Sequence, residues 1–322
     1  MSPVKTSIQL SPLCSIRDHL CGGELVALSV GPDGVVYLVV AHKPLDYRKS
    51  APGASFAKTR PDAPQRYRVI GLCEDQVVLE TSIEQEAFNI HDIQPLGGEE
   101  LLLVCSRSMF RSAGDIDHNG RVYSREGVLK RELVLGDGIE STQATSRGEV
   151  WTSFFDEGVF GNYGWTDPIG ASGLVAWDAT GKMLYEFEPG GNAGDISDCY
   201  ALNVASDDDV WCYYYTDFPL VHLHKRRIAS TWSVPVQGSH AFAVDGNCAL
   251  FAGAYREREA FKLLRLQDGG RASAVRTFGV VNATGETIRP ERTVGRGGYL
   301  YLLSEGQLYR LGVRDVLAQF GT

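Results

Sequence analysis

The residues best suited to chemistry fall in three short segments and a scatter of histidines and carboxylates. Residues 115–120 read DIDHNG, and with Glu126 they match D-x-[DN]-x-[DN]-G-x5-E, the spacing that places oxygen ligands around calcium. In a calcium loop a helix begins inside the loop and returns the last glutamate to the ion. Here residues 121–125 read as a strand, which carries Glu126 about 16 Å away at ~3.3 Å per residue. That leaves Asp115, Asp117 and Asn119 as candidate ligands, with a divalent cation such as calcium as candidate cofactor. The plainer reading of the same residues is a polar turn that uses Asn119-Gly120 to lead into the strand.

A second segment, DEGVFGNYGWTDPIGAS at 156–172, alternates glycines with aromatics. Glycine lets a backbone approach a ligand closely, and aromatics supply flat walls with a polar tip. Asp156, Glu157, Tyr163 and Trp165 are its candidate ligand-binding residues; the alternative is that the aromatics plug the loop onto the fold. The third segment, 41–65, is locally basic and rich in Pro and Ala, and offers His42, Tyr47 and Arg48 as a lid over an anionic ligand. A mobile solvated flap is its plainer reading. His91 and Asp92 in NIHDIQ and His240 in GSHAF are the candidates for acid–base or metal-assisted catalysis, and Asp217 and Arg292 complete the ligand-binding set. Each histidine taken alone is better suited to an ordinary hydrogen-bonded role.

These groups must be positioned by strands. Helical periodicity is nearly absent, and runs of four to eight Val, Tyr, Phe, Trp and Leu recur between Gly or Asp turns. One unit repeats six times, an apolar strand, a tight turn and an aromatic or β-branched strand, at 26–40, 93–105, 142–155, 201–215, 241–255 and 292–303. A second hairpin follows the first five copies, at 66–81, 120–135, 173–188, 220–236 and 262–278. The sixth copy has one further strand, 307–313, and SIQL at 7–10 is spare. Such a ring hides its edges if that spare strand completes the last sheet. LAQFGT then forms a short tail.

Hairpins such as WDATGKMLYEF resemble β-propeller blades, and the repeat as a whole resembles the six-bladed β-propeller superfamily. That resemblance implies an all-β fold: a six-bladed β-propeller of four-stranded antiparallel blades, its N-terminal strand closing the last blade. It implies a single domain over 1–322, with insertions between second and third blade strands at 41–65, 106–119 and 156–172. Those insertions share one face, where a funnel site is expected. Six-bladed lactonases of the regucalcin-like group are similar in blade count, but their Glu, Asn, Asn, Asp metal set has no position-by-position match here.

Composition bounds the function. Charges sum to −9, which disfavours nucleic acid and anionic membrane as partners, since phosphate binding needs a basic stripe. Seven cysteines without a CxxC pair read as reduced, mostly buried thiols. The first residues, MSPVKTSIQLSPL, lack the apolar core of a secretory signal, and no run of about 20 apolar residues occurs, so a soluble cytoplasmic protein is expected. Two functions remain. The leading expectation is a small-molecule site in the funnel, serving a metal- or His-assisted lyase, hydrolase or cyclase. The other is a non-catalytic platform that grips a protein or peptide with the same face.

Overall fold

A computed structural model describes residues 6–51, 54–97 and 99–320. The chain is all-β and forms two compact units, Asp18–Glu188 with Ile196–Asp198, and Met1–Arg17 with Pro189–Asp195 and Cys199–Thr322.

The Asp18–Glu188 unit holds three four-stranded antiparallel meanders. The first runs Glu24–Val30, Val36–Ala41, Gln65–Cys73, Gln76–Glu86. The second runs Asp92–Pro95, Glu100–Val104, Gly120–Ser124, Leu129–Leu133, and the third Ile139–Ala144, Val150–Phe154, Leu174–Trp177, Met183–Glu186. Second strands are largely buried because both their faces are covered, and in the first sheet this gives an unbroken apolar run: every residue of Val36–Ala41 is buried. Fourth strands alternate or lie exposed, as in Leu129–Leu133. Sheets stack face to face. Tyr37, Val39, Tyr67 and Val69 of the first meet Ile93, Leu101 and Leu103 of the second, and Leu102, Val104 and Val122 of the second meet Ile139, Ala144 and Val150 of the third.

In the Cys199–Thr322 unit the strands Asp198–Val204, Asp209–Tyr215, Pro219–His224 and Arg227–Ser233 form one meander. Ala241–Asp245, Cys248–Ala252, Phe261–Gln267 and Arg271–Val281 form another. The two join in a nine-stranded sheet through one parallel pair, Ser233 with Arg271. A last four-stranded sheet contains Arg292–Arg296, Tyr299–Ser304 and Gln307–Gly312, completed by Pro12–Ser15.

Two expectations are corrected here. The strand that completes the last sheet is Pro12–Ser15, antiparallel to Gln307–Gly312, and not SIQL. SIQL pairs in parallel with the outer edge at Gly279–Val281, where Ile8 and Leu10 enter the apolar core. Both segments can pair, but only SIQL has the in–out alternation that a half-covered outer edge rewards. The tail is also no coil: Val313–Phe320 is a helix whose Val316 is buried among Leu250, Leu302 and Leu311.

Each first strand has one strand neighbour within its own sheet, and side chains of the neighbouring sheet bond to its other edge. Asp92 accepts the Thr142 backbone N–H at 2.7 Å, and Gln94, two residues on, accepts that of Ala144 at 3.0 Å. The Ser29 hydroxyl donates to the other Asp92 oxygen. In the second unit the fully buried Asn203 donates to the carbonyls of Phe242 and Gly297 at 2.9 and 3.0 Å and accepts the Gly297 N–H at 2.8 Å. Asn203→Ala leaves these buried groups unmatched and is expected to cost about 3 kcal/mol. Urea denaturation tests this, and a loss within error of zero would remove Asn203 from the role.

Candidate functional site

The insertions of the Asp18–Glu188 unit fold locally. The first carries the hairpin Tyr47–Ala51 with Ala54–Ala57, the second Phe110–Ser112 with Asp115–Ile116, and the third a short helix Asp156–Phe160 and a 3-10 turn Ile169–Ser172. They are tied to one another. The Tyr163 hydroxyl donates to the Ala57 carbonyl at 2.6 Å, the Phe110 N–H to the Tyr163 carbonyl at 2.9 Å, and the Trp165 indole N–H to the Ser108 carbonyl at 2.7 Å.

At the centre of this network lies a buried ion cluster. The Arg107 guanidinium pairs with Asp137 at 3.1 Å and Glu157 at 2.6 Å, and lies 4.0 Å from the centre of the Tyr163 ring. Asp137 also accepts the Ser108 N–H at 2.8 Å. Gly158 allows the helix to approach this segment, since a Cβ there would stand 2.6 Å from the Asp137 carbonyl. Burial pushes the Asp137 carboxyl up to about 6, against the opposing pull of Arg107 and the Ser108 N–H.

The residues proposed to hold a cation have other partners. Asp117 is fully buried and pairs with Arg60 at 3.0 Å and Arg111 at 3.1 Å. Burial alone would raise its pKa, but these guanidiniums, with hydrogen bonds from Arg111, Thr59 and the Met109 N–H, hold it below the usual carboxylate range. Asn119 donates to the Cys105 and Gly136 carbonyls at 2.9 and 2.8 Å and accepts the Leu135 N–H at 3.0 Å. Asp115 is exposed and faces Arg111. Two guanidiniums stand where a cation would, and among the described residues no three His, Cys, Asp or Glu side chains are grouped to hold a metal ion. Gly120–Ser124 is a strand, so Glu126 falls in the turn beyond it, as its spacing required.

The other candidates are dispersed. His91 Nδ1 accepts the Ser106 N–H at 3.2 Å, and Asp92 serves the edge described above. Asp156 is exposed and accepts the adjacent Glu157 N–H. Tyr47 is exposed on its hairpin, and the side chain of Arg48 lies outside the described residues. His42 lines a small cavity with Leu20, Cys21, Arg66 and Arg68. His240, Asp217 and Arg292 belong to the Cys199–Thr322 unit, all exposed.

In that unit the ends of the strands gather aromatics. His240 stacks on Tyr200 with centroids 4.8 Å apart. Tyr200 meets Phe218 edge-on at 5.2 Å and Tyr255 at 6.1 Å, and Phe218 meets Tyr215 at 5.6 Å. Sequence reasoning reached His240 and Asp217 but missed Tyr255, Tyr215, Arg107 and Asp137. The available signals were an aromatic in the charged run YRERE and the carboxylate in GDG, which reads as a turn.

Comparison with known proteins adds the fold. The model of the YxzG family matches residues 171–311, less than half of the chain. No curated protein matches. Among solved structures, Kuenenia stuttgartiensis hydrazine synthase is similar at a TM-score of 0.53 and 10% identity, covering 100% of this chain and 82% of that one. A chain of the mitotic checkpoint complex is similar at 0.51 and 8%, covering 97% and 94%. A β-propeller domain from Myceliophteria thermophila aligns at 0.48 and 12%, covering 90% and 83%.

Asp137 supplies a pH test. Its folded value lies above the ordinary 3.8, so its burial costs nothing while it is protonated in both states, and the cost grows as pH rises from about 4 to about 6 and is constant above that. Between about pH 4 and pH 6 the stability of Asp137→Asn relative to wild type therefore shifts in the variant's favour by up to about 3 kcal/mol at ~1.4 kcal/mol per pKa unit, set against a pH-independent cost for the ion pair lost to Arg107. Urea titrations across that range read the difference, and a pH-independent gap would contradict it. The repeated four-stranded antiparallel meanders, with the likeness to the mitotic checkpoint chain and the hydrazine synthase, make the fold an all-β structure of the β-propeller kind.

Proposed function

We propose that this chain is a six-bladed β-propeller acting as a non-catalytic platform that binds a protein or peptide segment. Three four-stranded meanders in each unit support the count of six, because a single residue pair, Ser233 with Arg271, is all that merges two of them.

One observation carries the functional reading. In the Asp18–Glu188 unit the charged side chains of the insertions are largely paired, and in each unit taken by itself aromatic rings are exposed. Arg107 pairs with Asp137 and Glu157, and Asp117 pairs with Arg60 and Arg111. Phe160, at the end of the third insertion's helix, is 72% exposed. Tyr47 of the same unit is 48% exposed, and in the Cys199–Thr322 unit, taken by itself, Tyr215 and Tyr255 are 45% and 52% exposed. Exposed aromatics on a rigid scaffold are the usual anchors of protein contacts. The small-molecule reading takes second place, because Asp92, Asp117, Glu157 and Trp165, on which it leaned, are engaged in holding the fold and the insertions. Among the described residues no helix is long and apolar enough to cross a membrane.

Selection of a random peptide library on the purified protein tests the platform. Selected peptides are expected to share a motif, and at least one of Phe160→Ala, Tyr215→Ala and Tyr255→Ala is expected to weaken them by about tenfold, the size of a hot-spot truncation. Melting temperatures should not move. Failure to enrich any motif, together with a thermal shift by sugars, lactones or anionic metabolites, would return the site to a small molecule.

A further inference from the structure

We propose that Tyr255 and the Tyr215–Phe218 turn of the Cys199–Thr322 unit form a seat for a cationic side chain, the arginine or lysine of the bound peptide. This rests on the platform reading and names the chemistry of its partner.

The seat is built before any ligand arrives. The Tyr255 ring lies against Gly238, whose φ is +75°, and a Cβ at that position would stand 2.3 Å from the ring. Phe218 holds the same ring edge-on at 5.8 Å, and the Tyr255 hydroxyl is hydrogen-bonded to that of Tyr200. The ring is thus fixed, yet 52% exposed. Tyr215, also packed on Phe218, adds a second exposed ring. Rigid rings bind at a low entropic cost.

Charge selects the guest. The face of an aromatic ring is negative and attracts cations. Asp217 lies within the turn between Tyr215 and Phe218. Asp195 follows Gly194, whose carbonyl accepts the Tyr214 hydroxyl at 2.9 Å. Both carboxylates are exposed. Neither has an ion-pair partner among the described residues, so their charge is available to a partner. Arg256 and Arg258 are exposed in the same loop as Tyr255 and provide the opposing choice, an anionic guest. The electron-rich rings between argue against it. A guanidinium suits the seat best, since it stacks on a ring and pairs with a carboxylate at once.

The test uses the full chain with tyrosine ring signals observed by NMR. N-acetylarginine amide and N-acetyllysine amide are the probes, N-acetylglutamate amide the anionic control and tetramethylammonium the non-peptide cation. The arginine probe is expected to shift Tyr255 and Tyr215 saturably, to lose the response in Tyr255→Ala, and to bind about fivefold more weakly in Asp195→Asn/Asp217→Asn. Arg256→Ala should leave it unchanged or tighter. No saturable response to either cationic amide, or a glutamate response abolished by Arg256→Ala, would overturn the seat while leaving the platform reading to its own peptide selection. Tetramethylammonium binding as tightly as the arginine probe, with no peptide motif enriched, would overturn the peptide as its source.

Discussion

An antiparallel meander always has two edges, and its first strand presents a row of N–H and C=O groups with no further strand to meet them. Much else in this protein follows from how those edges are met. A side chain two residues ahead of another repeats the spacing of backbone groups on one side of a strand. Asp92 and Gln94 stand at that spacing and serve Thr142 and Ala144 at the same spacing on the neighbouring sheet. They act as two rungs of a strand pairing made by side chains. Asn203 does comparable work alone, with two donations and one acceptance among Phe242 and Gly297. The outer edges are met by backbone instead, through SIQL on one sheet and Pro12–Ser15 on another.

The same demand for partners shapes the insertions. A guanidinium as buried as Arg107 is tolerated only with carboxylates beside it. Asp137 comes from a connection between sheets, Glu157 from the third insertion and Tyr163 from further along it. Removing any one leaves a buried charge exposed to the low dielectric of its neighbours, so the insertions order together or not at all. The raised pKa of Asp137 measures how dry that cluster is. A site built this way is a support, and its rigidity passes to whatever projects from it, Phe160 foremost.

Strands were legible in the sequence because burial on both faces demands unbroken apolar runs such as VYLVVA, and tight turns demand Gly, Asp or Asn between them. Connections were legible for the same reason, including the position of Glu126 beyond its strand. The closing strand was not, because SIQL and PLCS are both short and pair-competent, and the choice between them rests on contacts some 270 residues away. The site was least legible. Residue type marks Asp117 as a possible metal ligand, whereas its partner Arg60 lies 57 positions off and is linked to it only by the fold. Tyr255 looked like an aromatic lost among charges, and its meaning comes from Gly238, which leaves room for the ring to lie flat.

The proposed platform leans on what the candidate catalytic side chains are already engaged in. A catalytic centre needs a carboxylate or imidazole held at a reactive position yet left open to substrate. Asp92 gives its oxygens to Ser29, Ile93 and Thr142, and Asp117 gives its own to two arginines and the Met109 N–H. His91 accepts a backbone N–H, and His240 is stacked on Tyr200. What the strand ends present outward is instead hydrophobic area with little freedom to lose: Phe160 on its helix in one unit, Tyr215 and Tyr255 braced by Phe218 in the other. Such surface is costly to leave in water and gains most when another chain covers it. On the platform proposed above, fixed rings near exposed carboxylates would discriminate among covers by charge.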